Sequence, residues 1–545
     1  MSIPRRRDLR KPALLIGAIV LLLGAGALAF RAWDAWVEDG LGRWAVDEME
    51  RQSDGAYRLT LGDLSFLPLA GSISFDSARV VTDTARNRRR AAPLPTLAAE
   101  ARECRVSGLD LVRLMLGRAF RARVLECGGV TAAIALAGPA REDTTAAGDS
   151  AGSLHQLVQP LGLSSFHIRR ISFPSARLSL HRPGPKGGTS LAISRARFDA
   201  EDVVFDPEAA SAGRARLAAS GIMLLPDSTI EISVARLEAD FTDSTLTLAG
   251  AEHEPSIPES EWLRRVRVRR DRIRFALDSL RGRGVTYRTF LATGDIGVRT
   301  LELRGAVLDV LTDRRIPRGP PRRHPTPQQV AARTRSAVRL DTLLVNGGRI
   351  VYRERKPERD GPGVVSFDDL RATVLHLDLP SQGEPLRIEA GARLMGAGSL
   401  SVRVTVPLDA PDFRYELSGR LGAMPAEAFN RFLSVNESFE FDNGRVEEIT
   451  IGQSVRGGRA RTTVTPRYRD LSVQPTGDGG GLIGSVKRAV EETVADALVV
   501  RSGNPGDDDE EPRVARTVRR YDPTSTWLQF LWFSLREGLL EVLKE

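Results

Sequence analysis

The chain has 545 residues, 41% hydrophobic and 27% charged, which supplies a core and excludes a disordered or collagen-like chain. Its 78 Lys and Arg against 70 Asp and Glu give a formal charge of +8. Five of those cations, Arg5, Arg6, Arg7, Arg10 and Lys11, stand against Asp8 alone in the first eleven residues, so the body is close to balance and no nucleic-acid partner is expected.

Residues 1–12 form a basic tail, and residues 13–30 carry no charge. Eighteen helical residues rise about 27 Å, close to the hydrocarbon thickness of a bilayer. The basic flank predicts a single-pass transmembrane anchor with a cytoplasmic N-terminus and everything after Phe30 exported. A cleaved signal peptide ending at Ala27-Leu28-Ala29 is the alternative. Over 31–57, Trp33, Trp36, Val37, Leu41, Trp44 and Val46 recur near helical spacing. They predict a juxtamembrane amphipathic helix with Trp33 and Trp36 at the headgroup level.

Residues 58–140 read as a first β module. Cys104 and Cys127 lie in strand-like runs joined by a helix-like segment at 108–120, and the exported compartment permits a disulfide. Two small buried hydrophobes are the alternative. A small, polar linker follows at 140–153. The central region, 154–315, is repetitive and β, with Ile230, Ile232 and Val234 in period-two alternation. Four loosely similar copies of strand, turn-like pair and strand occur at 121–136, 166–182, 298–315 and 338–355, which predicts an elongated stacked structure. The Arg-rich run 264–274 reads as a strand with one very polar face, either solvated or binding anionic headgroups.

Residues 316–328 are a Pro-rich linker without regular strands. Residues 329–475 are a second β region. Its cleanest alternations, Leu386, Ile388, Ala390, Ala392, Leu394 and Leu400, Val402, Val404, Val406, Leu408, predict half-buried strands, and a helix is expected at 424–433. An amphipathic helix is expected at 482–500, a disordered charged loop at 501–520, and a further amphipathic helix at 521–545. That last helix reads as interfacial, as a cap over an apolar cavity, or as a terminal helix docked on the sheet. Trp527 and Trp532 would meet the membrane interface.

Catalytic signatures are missing. There is no nucleophile elbow, P-loop, HExxH, dinucleotide fingerprint or CxxC. GPKGGTS at 184–190 has the wrong spacing for a phosphate loop, and the six His show no metal-ligand spacing. His253, between Glu252 and Glu254, reads as a loop residue. No enzyme activity, cofactor or metal is expected. Aromatic platforms for bases or sugars are scarce, since aromatics are 6% of the chain.

Taken together, the chain resembles the AsmA-like family of bacterial envelope proteins. The resemblance rests on the basic-flanked anchor, on 59–80 followed by 94–136, on 351–377, on 386–400 through 413–433 to 441–473, and on the terminal WLQFLWFSLREGLLEVL. It implies a mainly β protein: an N-terminal transmembrane helix in the inner membrane, then an elongated, twisted, repetitive β-sheet groove with a few short helices. Its larger relatives, of the TamB and YhdP type, resemble bridge-like lipid-transfer proteins. Stacking ~25 strands at ~4.8 Å would give a groove of at most ~120 Å. The expected function is binding or transfer of phospholipid, or another acyl-chain lipid, for outer-membrane lipid homeostasis, with Leu386, Ile388, Leu394, Leu400, Val402, Val404 and Val406 lining the groove. The alternative is a non-enzymatic scaffold for outer-membrane or envelope proteins, using exposed sheet edges.

Overall fold

The computed structural model describes residues 40–543, apart from short gaps and the longer stretches 111–118, 136–164 and 476–500. The expected anchor at 13–30, Trp33, Trp36 and the expected helix at 482–500 lie outside the described residues. Among the described residues no helix is long and apolar enough to cross a membrane. The backbone described between 40 and 51 is helical.

The fold is mainly β, with 23 strands among the described residues forming mixed sheet. The chain divides into two compact units at Ala219/Ser220, inside one strand. The first unit contains β1 (Tyr57–Leu61), β2 (Leu64–Leu67), β3 (Ser72–Thr82), helix α1 (Thr84–Arg88), β4 (Thr96–Ser107), β5 (Ala119–Ala135), β6 (Ser165–Arg182), β7 (Thr189–Phe205), β8 (Ala210–Ser211) and the start of β9 (Arg214–Asp227). β1 and β2 both pair with β3, and antiparallel pairing continues through β4 to β5. β5 and β6 are parallel, and β6 and β7 antiparallel.

The second unit contains β10 (Ile230–Asp240), β11 (Thr245–His253), α2 (Glu259–Arg265), β12 (Arg272–Arg283), α3 (Tyr287–Thr293), β13 (Ile296–Arg304), β14 (Val307–Asp313), α4 (Pro327–Arg333), β15 (Val338–Arg355), β16 (Gly363–Leu379), β17 (Leu386–Leu394), β18 (Gly398–Val406), β19 (Tyr415–Leu421), β20 (Met424–Pro425), a 3₁₀ turn at Ala426–Phe429, α5 (Asn430–Asn436), β21 (Phe439–Arg456), β22 (Arg459–Pro475), β23 (Ala515–Arg520) and α6 (Trp527–Leu543). β13 and β14 are two halves of one line. Both pair antiparallel with β12 and parallel with β15.

The four sequence repeats therefore sort into two parallel pairs. Residue i of β5 faces residue i+46 of β6, and residue i of β13–β14 faces residue i+42 of β15. Parallel neighbours need a crossover, and residues 316–328 lie in the one between β14 and β15; residues 140–153 lie outside the described residues. Ile316 is buried with Trp262 and Val266. Thr326 and Gln329 cap α4 reciprocally, which anchors the Pro-rich stretch at both ends.

A second regularity shapes both units. The inward apolar residues alternate with period two, then skip three positions once, and resume. In the first unit the skips are Phe75/Ala78, Ala101/Cys104, Cys127/Val130 and Phe173/Ala176. In the second they are Val234/Leu237, Leu248/Ala251, Leu277/Leu280, Leu303/Ala306 and Val345/Gly348. The pairing registers place these skips side by side within each unit. Glu103, Gly250, Gly305 and Gly347 sit there with φ of 52°, 62°, 62° and 65°. An extra residue in a left-handed conformation is a bulge that bends the strand and adds twist. Aligned bulges crease the sheet across its strands, and the same face stays apolar on both sides of the crease.

Two further expectations change. The run 264–274 is not one strand. Arg264 and Arg265 close α2, whose buried Trp262 anchors it, and β12 begins at Arg272. The segment 501–520, expected to be a disordered loop, contains a strand among its described residues. Ala515–Arg520 pairs antiparallel with β22. Buried Asn504 ties down the approach, accepting from the Arg513 amide at 2.7 Å and donating to the Pro466 carbonyl. His253 ends β11, its Nδ1 2.6 Å from the Glu231 carbonyl oxygen. The helix expected at 424–433 is present as the 3₁₀ turn and α5.

Candidate functional site

Cross-strand registers in the second unit string apolar side chains into rows. One row runs Leu237, Leu248, Leu280, Leu303, Val345, Ala372, Ala390, Val402, Gly419, Ile451, Val464, Ala515 from β10 to β23. A second runs Ala239, Leu246, Gly282, Leu301, Leu343, Val374, Ile388, Val404, Leu417. The opposite face is polar: Glu238, Thr247, Arg281 and Glu302 face one another across β10–β13. Further along, Glu389 pairs with Arg403 at 2.9 Å, and Glu448 pairs with Arg420. Strict alternation, corrected by the bulges, sorts the sheet into an apolar and a charged side.

The apolar side has two different fates. Over β22 and β23 it is covered by α6, whose residues share buried clusters with β17–β19, β21 and Ala331 of α4. Phe530, Ser534, Gly538 and Val542, spaced by four, are the buried stripe of that helix. Phe530 meets Phe413 at 5.9 Å and Tyr521 at 5.2 Å between ring centroids, and Trp527 meets Tyr415 edge-on at 5.5 Å. A Cβ at Gly538 would stand 2.9 Å from Val464 Cγ2, so glycine there allows the helix to lie close against β22. Arg536 forks onto Glu437 at 3.0 and 2.7 Å and pins the helix to the end of α5. Beneath it Tyr415 donates to Gln453, whose amide donates to Thr462 at 2.8 Å. Burial pushes the Tyr415 phenol above its ordinary value.

From β10 to β16 the same rows are half-buried. Leu237, Leu248, Leu280, Leu303 and Val345, and in the second row Leu246, Leu301, Leu343 and Val374, each keep part of their surface in solvent. The residues at the crease, Val234, Ala251 and Leu277, are buried. The first unit repeats the pattern with Val80, Ala99, Ala132, Leu178 and Ile193. A mostly apolar hollow of about 320 Å³ lies there, lined by Ile134, Leu180 and Leu191 among others.

The seven residues expected to line an open groove belong instead to the covered part. Val404 and Val406 are buried at 7% and 0% exposure, and the partly buried Leu386, Ile388 and Val402 pack against the cluster that contains them. Leu394 and Leu400 pack on the neighbouring cluster around Met424 and Val464 with Leu535 and Leu539 of α6. α6 takes the place that an acyl chain was expected to take. Trp527 likewise packs in this core, whereas Trp532 is exposed and meets Phe432 edge-on at 6.2 Å. Cys104 and Cys127 face each other across β4 and β5 and are disulfide-bonded, Cα–Cα 4.0 Å. That pair is one step in the apolar row Leu64, Phe75, Cys104, Cys127. The leucines of β11–β15 went unselected in the sequence, yet the three-residue skip beside each of them was there to find.

No group of three His, Cys, Asp or Glu among the described residues is arranged to hold a metal. Compared with known proteins, the chain matches no family model and no curated sequence, so the functional reading rests on the two-sided sheet itself.

Proposed function

We propose that this is a non-enzymatic, exported protein, anchored in the bacterial inner membrane by residues 13–30, that binds phospholipid or another acyl-chain lipid on the apolar side of β10–β16. Its role is to carry that lipid for outer-membrane homeostasis. The observation that carries the reading is the pair of half-exposed leucine-rich rows continuous with a buried core. Apolar surface of this extent is costly in water and is characteristic of a binding surface. Six strand positions at ~4.8 Å span about 24 Å, more than one leaflet's half of a ~30 Å hydrocarbon core, so an acyl chain can lie along a row. Charged headgroups can remain in water. The AsmA-like resemblance points the same way. The scaffold alternative is less well supported, because the edge strand β23 carries Arg516, Arg519 and Arg520, charges that discourage strand addition.

The test is a photo-crosslinking residue at Leu303 or Leu248 of the full chain in cells, with Glu302 on the polar side as control. Lipid adducts at the two leucines and not at Glu302 are expected. Equal labelling at all three, or none at the leucines, would sink the reading.

A further inference from the structure

Charge is not spread evenly over the second unit. Residues 254–274 and 313–323 hold twelve arginines against five carboxylates, and the fold brings these distant stretches together. The Arg269 amide donates to the Pro317 carbonyl at 2.8 Å. Its guanidinium donates to the Ile316 and Arg314 carbonyls at 2.9 and 2.6 Å. A Cβ on Gly319 would touch Val268 Cγ1. Trp262, Val266 and Ile316 are the shared core beneath them.

All five acids here are already occupied, Glu259 by Arg353 and Arg355. Glu254 is held by Arg272 and Arg274, Glu261 by Arg264 and Arg265, Asp313 by Arg315, and Asp271 accepts from Thr312. The exposed Arg267, Arg318, Arg322 and Arg323 have no ion-pair partner among the described residues, and exposed Arg270 only stacks over Trp262 at 5.3 Å. Burial and the like charges of Arg318 and Arg314 push Arg269 below its ordinary value, a sign of how crowded the cations are. Between them Leu263 and Val268 are 43% and 54% exposed. The sequence pattern explains this: Trp262, Val266 and Arg272 turn inward, and the residues between them turn out.

We propose that this patch docks on an anionic bilayer surface. Arginines left without counter-charges are drawn to anionic headgroups, each phosphate accepting a guanidinium fork. Two exposed aliphatic side chains among them fit the boundary between headgroups and acyl chains. An acidic protein would match the charge but not the interleaved aliphatics. This docking is separate from acyl binding along β10–β16, and either can fail without the other.

The full chain, reconstituted in phosphatidylcholine nanodiscs, is mixed with vesicles of phosphatidylglycerol or of phosphatidylcholine, and disc co-flotation is measured. Phosphatidylglycerol vesicles are expected to capture the discs and phosphatidylcholine vesicles not, with capture falling as salt rises. Arg267→Gln/Arg318→Gln/Arg322→Gln should weaken capture by on the order of a hundredfold, at about a factor of five per arginine. Arg339→Gln/Arg371→Gln/Arg387→Gln changes the net charge equally, away from the patch, and should leave capture intact. Val268→Ser should weaken it severalfold at unchanged charge. Equal capture by both vesicle types, an unaffected patch variant, or equal loss in the two triple variants overturns the proposal. So does capture by poly-aspartate that phosphatidylglycerol vesicles do not compete away.

Discussion

The β10–β16 and β17–β23 portions of the second unit share the same cross-strand rows and differ in what meets them. Under α6 the row residues Val404, Val464 and Ala515 are buried. Their counterparts Leu248, Leu280 and Leu303 keep part of their surface in solvent, as do Val402 and Ile451 at the margin of α6. The covered portion uses small residues, with Gly538 and Ser534 on the helix and Ala390, Gly419 and Ala515 on the sheet, which let a rigid helix approach closely. The first row of the other portion is richer in leucine, with Leu237, Leu248, Leu280 and Leu303. Large flexible side chains suit a partner without fixed shape, and small ones suit a partner of fixed shape.

The sharpest way to break this contrast is to place a charge on each side. Val406→Asp, at a fully buried site, should cost at least about 4 kcal/mol, because an unpaired carboxylate is left in the core. Denaturant unfolding of the C-terminal portion would measure it. Leu303→Asp should cost far less stability and remove lipid labelling at Leu248. If both variants unfold alike, the two portions are not different in kind.

Phe530→Ala should cost about 3–5 kcal/mol, read as loss of α6 protection in hydrogen exchange. Loosened α6 should also bring lipid labelling to Val402, which the wild type shields. Cys104→Ser/Cys127→Ser lies in the first unit and is the control for it. Opening a 23-residue separation should cost about 3 kcal/mol and leave α6 protection unchanged. Leu303→Ala should cost about 1 kcal/mol, less than a buried Leu→Ala, because the side chain is already part-solvated.

The smallest effect concerns pH. Because the folded-state Tyr415 phenol sits above its ordinary value of 10, the unfolded chain releases its proton first as pH rises. Stability is then full below pH 10 and falls above it. Tyr415→Phe should flatten that alkaline fall in thermal melts. Tyr287, pushed up to about 12 by burial, contributes a similar fall between pH 10 and 12.

Much of this was readable in the residues. Period-two alternation identified β10, β17 and β18, and four repeats marked the long strands. What alternation alone could not show was pairing direction. β5 faces β6 at a fixed offset of 46 residues, information that resides in the register and not in either strand. Alternation is cleanest at Leu386–Leu408, which is why the sequence points to a groove there. Those strands lack the skip, so they stay regular enough for a helix to lie flat on them. The strands that break the pattern, such as Leu303/Ala306, read as a strand, a turn-like pair and a strand, and carry the part-exposed leucines. Similarly, three arginines in ARTVRR hid β23, because backbone pairing with β22 tolerates outward charges.

The crease makes each of these strands behave like a reading frame. Deleting Gly305 alone would leave Leu301 and Leu303 in place and turn Leu308 and Val310 over to the charged side, since a one-residue slip inverts every later side chain. Neighbouring strands hold the same frame, so the change could be rescued only by matching deletions in β12 and β15, one of them 42 residues downstream. Lineages of this protein should therefore tolerate substitution along the rows readily, and length changes at the crease only as coordinated sets.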